Sequence, residues 1–162
     1  MLSAFNEMLN RVNSLHTQIA TVEKLLTTED ESSTVAVAYK PVLENAKSLD
    51  KKLKDFQEKF YNSESQGGSD RLHFLAKLHD RVAGLSRMAG GLEYNESPTP
   101  LMLEEMEALR PEVQKVLGEF NTVLSGEVNT FNKLALEKGA STLYAGVPVE
   151  WKEASAGTAV GK

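Results

Sequence analysis

The chain has 162 residues, no cysteine and a formal net charge of -5. A chain of that length can bury roughly two thirds of its unfolded surface around one core without covalent staples. The missing cysteines exclude disulfides, thiolate metal sites and thiol nucleophiles. The acid excess, with five acids and no base between Glu93 and Glu107, argues against general nucleic-acid binding, which needs a basic face.

No apolar run reaches the roughly 18 residues a membrane span requires. The opening Met1 to Arg11 carries Glu7 and Asn10 inside an amphipathic pattern, unlike a secretion signal. A helix that begins with almost no lead-in reads as a module cut from a longer chain.

Phe5, Val12, Ile19 and Leu26 recur every seven residues, and Met8, Leu15 and Val22 follow three after the first three. This is a heptad seam over residues 2–28. Small and acidic residues from Thr27 to Ser33 break it, and Ser33 or Thr34 can cap the next helix. In the second segment Val35, Tyr39, Val42, Ala46, Leu49, Leu53, Phe56 and Phe60 step by four and three. Asp50 with Lys54 and Asp55 with Lys59 stand in the favoured acid-first order. Pro41 predicts a kink or a late helix start.

Asn62 to Ser69 has the composition of a flexible connection. Ser69 or Asp70 is the expected cap of a third helix carrying Leu72, Leu75, Leu78, Val82 and Leu85 on one face and ending near Gly90-Gly91. Thr99 followed by Pro100 is a strong start signal for the fourth segment, 100–138. Its stripe runs Met106, Leu109, Val113, Leu117, Phe120, Leu124, Val128, Phe131, Ala135. Two steps of four in a row predict a straighter helix than strict heptads give, Pro111 predicts a bend, and Gly139 ends the element. The fold class is therefore all-α: an elongated antiparallel up-down bundle of about four helices, coiled-coil-like, spanning 1–139. An apolar extended tail follows over 140–151, with Leu143, Tyr144, Val147, Val149 and Trp151 around Pro148. The last residues, 152–162, are small and polar and are expected to be disordered.

Candidate chemistry is sparse. His73 and His79 stand six apart, on different helix faces, and His16 is isolated, so no metal or catalytic pair forms from them. His16, on the first seam, is expected to find a polar partner. The glutamates of the last helix, Glu104, Glu105, Glu107, Glu112, Glu119 and Glu127, mostly fall off the apolar stripe and read as a solvated face. Gly67-Gly68 and Gly90-Gly91 lack the context of a phosphate loop and read as turns. Met88, Met102 and Met106 read as gap filling at one end of the core, ahead of an adaptable peptide groove. The Trp-bearing tail packs back on the bundle or attaches to a neighbouring domain, with recognition of a separate partner as the rival.

The order of segments resembles the helical C-terminal region of bacterial sortilin-like β-propeller proteins of the BNR-repeat, glycosyl-hydrolase-associated kind. The similar stretches are Leu9-Asn10-Arg11-Val12, Leu75-Ala76-Lys77-Leu78, Ser97-Pro98-Thr99 and Phe131-Asn132-Lys133-Leu134, followed by a glycine and an apolar exit. The resemblance implies a non-catalytic appendage that packs on a propeller of the same parent or self-associates, with a periplasmic or extracellular location. It carries over no catalytic, metal or cofactor residue. It gives Pro98, Thr99, Phe131 and Asn132 the task of holding the last helix, and Asn132 can bond a loop carbonyl. Leu143, Tyr144 and Trp151 are the interaction candidates of the tail, and a small-molecule ligand is not expected. The alternative is a free-standing helical adaptor or surface coat. It needs Phe56, Phe60, Phe120 and Phe131 to turn outward onto a partner, whereas an appendage buries all four.

Overall fold

A computed structural model of the chain describes residues 1–27, 34–62, 75–90 and 97–151. All the elements it describes are helical: α1 (Leu2–Leu26), α2 (Thr34–Glu58), α3 (Leu78–Gly90), and a last rod made of α4 (Pro100–Val123), a π-helical turn (Leu124–Val128) and α5 (Asn129–Glu137). The last rod is 38 residues long, about 57 Å at 1.5 Å per residue.

The apolar seams of the sequence are the faces that meet. Phe5, Met8, Val12, Leu15, Ile19 and Val22 of α1 are buried against Val42, Ala46, Leu49, Leu53 and Phe56 of α2 and Leu109 to Ala135 of the last rod, in one apolar cluster. α1 packs on α2, α2 on α5, and α3 on α4. The ion pairs give the directions. Along the last rod Glu105 and Glu112 face Arg81, Glu119 faces Lys59, and Glu127 faces Lys52. Partner numbers in α2 fall as the rod's rise, so α2 runs antiparallel to it. The 25 residues of α2 and the 13 of α3 lie end to end and match the rod's length. This is why the bundle is elongated.

Lys59 reaches Glu119 at 3.7 Å, not its expected neighbour Asp55. Asp50 does hold Lys54, at 2.7 Å, and takes His16 Nδ1 from α1 at 2.5 Å. Burial alone would raise the Asp50 carboxyl, but the hydrogen bonds from Lys54 and His16 outweigh it and hold the group below its ordinary value.

Three local expectations need correction. α2 begins at Thr34, ahead of Pro41, so of the two expectations for the proline, a kink or a late start, the late start is overturned; Pro41 sits inside the helix on its exposed side, where water can serve the Val37 carbonyl it leaves unpaired. The third helix starts at Leu78, and Leu75 is 92% exposed outside it; the expected caps and Leu72 lie outside the described residues. The reason is a network at the end of α2. Lys77 Nζ donates to the carbonyls of Glu58 and Tyr61 and pairs with Glu58 Oε2 at 2.8 Å, while Asn62 Nδ2 donates to Leu75 O and Asp80 Oδ2. A lysine on the orphan carbonyls of a helix end is favourable, and it holds 75–77 out of the helix. Met88, finally, is 56% exposed and fills no gap.

The stripe takes two fours in a row twice: Leu109 to Val113 to Leu117 stays within α4, and Phe120 to Leu124 to Val128 runs into the π turn. In an α-helix the second pair would rotate the stripe by about 80°. Closing its last step as a wider i→i+5 turn cancels much of that rotation, and Leu124, Val128 and Phe131 all stay buried.

His79, at the joint between α2 and α3, is ringed by Phe5 and Tyr61, both edge-on, and makes a long contact with Asn6, 3.5 Å away. Burial pushes its imidazole below the ordinary value, against the pull of Asp80. The unfolded chain therefore takes up the proton first, as pH falls below about 6.5. The stability held by neutral His79 is complete above that pH and is lost as pH drops through the depressed native value. Urea unfolding is expected to show a lower midpoint at pH 5 than at pH 7, with a shallower pH slope in His79→Gln; an unchanged slope would count against it.

Candidate functional site

The tail is where the sequence stops behaving as a bundle, and it is held by an unusual set of contacts. Residues 140–151 leave α5 at Gly139, whose φ of 70° turns the chain back along the rod. From there the segment runs extended in the groove between α1 and the last rod, antiparallel to both. Leu143 and Val149 point inward and are 3% and 2% exposed; Tyr144 and Val147 point outward and are 79% and 70% exposed.

Three side-chain carboxamides hold the backbone, each closing on both polar groups of one residue. Asn132 Nδ2 donates to Leu143 O at 2.8 Å, and Leu143 N donates to Asn132 Oδ1 at 2.7 Å. Asn121 makes the same pair with Val149, at 2.9 and 2.8 Å. Gln18 of α1 does it from the other wall, with Tyr144 N donating at 2.7 Å and Tyr144 O accepting at 3.2 Å. An extended backbone exposes an N–H and a C=O that must be paired. A primary amide offers the matching acceptor and donor, so these groups do for the tail what a neighbouring strand would do.

Arg11 completes the clamp. Its guanidinium donates to the carbonyls of Ala145 and Val147 and pairs with Glu7 at 2.5 Å. Gly146 lies between those carbonyls with φ 74°, and a Cβ there would come within 2.9 Å of Arg11 Nη1. The angle requires glycine, and a side chain there would also push the Arg11 guanidinium off its place. Gly146→Ala is expected to cost about 1–2 kcal/mol, seen as faster amide exchange in 143–149 with α1 and α2 unchanged. Equal protection in the variant would contradict this packing.

At the far end Trp151 is half-buried, with the Arg110 guanidinium 5.4 Å from its ring centroid. Arg110 also holds Glu107 at 2.8 Å. Thr99 caps α4, its side chain accepting from Met102 N at 3.3 Å; Pro98 beside it is exposed, and Phe131 is in the core. Asn132 bonds both groups of Leu143, more than the single carbonyl expected.

Asn121, Gln18 and Arg11 are not singled out by the sequence alone. A signal for Asn121 exists: Phe120-Asn121 repeats Phe131-Asn132 eleven residues earlier, about three helical turns. The phenylalanines fill the core and the asparagines flank the groove. Residues 152–162, expected to be disordered, lie outside the described residues.

Among the described residues Asp55, Glu119 and Glu127 line one pocket between α2 and the last rod, together with Lys52 and Lys59. Glu105 and Glu112 meet on Arg81, and Glu107, Glu119 and Glu127 each face an arginine or lysine. Among the described residues no group of three or more histidines and carboxylates is placed to hold a metal ion, and no helix is long and apolar enough to cross a membrane. No family model, curated protein or solved structure matches this chain.

Proposed function

We propose that this chain is a non-catalytic structural and interaction module: its bundle holds its own C-terminal segment as an extended strap and presents the strap's outer face to a protein neighbour. The observation that carries the reading is the threefold carboxamide clamp at Leu143, Tyr144 and Val149. It fixes a backbone whose inward side chains are buried and whose outward ones, Tyr144 and Val147, are large, apolar and left in water. Apolar side chains on a rigid, pre-ordered surface are suited to protein contact, because little entropy is lost on binding.

The burial of Phe56, Phe60, Phe120 and Phe131 in one cluster supports this reading over a surface coat, which needs those rings to turn outward. The resemblance to propeller appendages supplies the neighbour's kind: a propeller domain of a longer parent, acting in the periplasm or outside the cell.

Photo-crosslinking tests this. A photoreactive residue at position 144 or 147 is expected to give one discrete adduct in cells, mapped by mass spectrometry to the propeller domain of the same parent chain, and at exposed Lys51 of α2 none. No adduct from the strap positions, or the same adduct from position 51, would remove the interaction role.

A further inference from the structure

The clamp reads main-chain groups, so any chain carrying the same extended segment satisfies it. The one segment known to fit is this protein's own: an inward leucine, then an inward valine six residues later, with no charged residue between Ala140 and Val149. A second copy carries it by construction. We propose that the groove between α1 and the last rod also binds the strap of a second copy, so that two molecules associate by exchanging residues 140–151 reciprocally. The inference rests on the strap reading above and adds a partner to it.

Two features favour exchange. The hinge is short and turns on one residue: Gly139, at φ 70°, reverses the chain between Glu137 and the first clamped residue, Leu143. Straightened, Lys138 to Thr142 reaches about 17 Å, enough to pass from one molecule to a neighbour packed at the same end. The surface at that crossing is apolar as well. Leu136, in the last turn of α5, is 69% exposed, and Tyr144, next to the Asn132 clamp, is 79% exposed. Under a two-fold axis both patches meet their own copies, the self-complementary geometry of an isologous dimer. Every clamp contact is kept in the exchanged form, so the balance is set by the hinge and this new contact alone.

The competing state is the strap folded back on its own groove, with an effective concentration of about millimolar for a linker this short. Sedimentation equilibrium of the full chain, from low micromolar to about 1 mM, is therefore expected to show a monomer passing into a dimer. Gly139→Ala disfavours the reversed hinge by about tenfold, and since both hinges open in the reciprocal dimer it should lower the dissociation constant about a hundredfold. The Asn121→Ala/Asn132→Ala variant should remain monomeric, and excess synthetic peptide of residues 140–151 should dissolve the native dimer. A chain that stays monomeric throughout, a dimer that survives loss of both asparagines, or one that ignores the peptide overturns the proposal. If Gly139→Ala does not fold, the native chain, the double variant and the peptide still decide. Hydrogen exchange separates the two readings: a monomer with protected Leu143 and Val149 amides overturns exchange alone, and unprotected amides overturn the strap as well.

Discussion

Phe120→Ala is expected to destabilise the protein by about 3–5 kcal/mol. Phe120 has no exposure, and its ring stacks on Phe56 with centroids 5.8 Å apart. Phe56 meets Phe60 at 5.1 Å, and Phe60 meets Phe5 at 5.7 Å. The row of rings ties the last rod through α2 to α1, at the level where α2 hands over to α3. Removing one end leaves a cavity between three helices that cannot collapse without moving all of them. Against a total stability of about 5–15 kcal/mol for a domain, the loss is a large fraction. Urea unfolding checks it, with Leu25→Ala as the reference: Leu25 is 67% exposed, and its truncation should stay within about 0.5 kcal/mol. A Phe120→Ala cost as small as that of the reference would mean the three helices do not close on a common core.

The parts of this fold legible in the sequence are those set by local spacing. Every described residue of the α1 heptad seam from Phe5 to Val22 is buried, and so is the α2 run from Val42 to Phe60. The start of α3 is not legible, because the apolar spacing through Leu75 and Leu78 continues smoothly. What interrupts it is Lys77 on the carbonyls of Glu58 and Tyr61, partners 16 to 19 residues away. The double four-step is visible twice, at Leu109, Val113 and Leu117 and at Phe120, Leu124 and Val128, and only the second becomes a π turn. Spacing alone does not distinguish an even drift of the stripe from a single π turn. The strap is divided in the same way. Asn132 stands out beside a phenylalanine near a helix end, and Asn121 repeats it. Arg11 and Gln18 flank the α1 seam, each one residue before a buried seam position, where long polar side chains are the norm, and only the returning tail gives them a role.

The second large effect concerns that tail. Asn121→Asp and Asn132→Asp keep the shape of each side chain and change its bonding. The oxygen that accepts from Val149 N or Leu143 N is retained, but the Nδ2 donor becomes a second acceptor facing a carbonyl oxygen. One net attraction of about 1 kcal/mol is exchanged for a repulsion at each site. With both changed, the strap is expected to lift at pH 7, and the Leu143, Tyr144 and Val149 amides should exchange about 100-fold faster or more, since each 1.4 kcal/mol is a factor of ten. The bundle amides of α1 and α2 should keep their protection, because Leu143 and Val149 lie at the margin of a core that the helices close without them. The introduced carboxyls bind protons near pH 4, and a protonated carboxyl donates again. The docked strap favours the protonated form of each new group, which raises its value there above that of the free strap. Docking therefore recovers as pH falls through the raised docked values and is absent well above them. Alanine at the same two positions removes donor and acceptor together and should free the strap at every pH. If the aspartate and alanine variants both keep the strap protected at low pH, apolar contact holds the segment and the amide clamp does not; if only the aspartate pair re-docks, two hydrogen bonds per asparagine are what keep an extended chain against the helices.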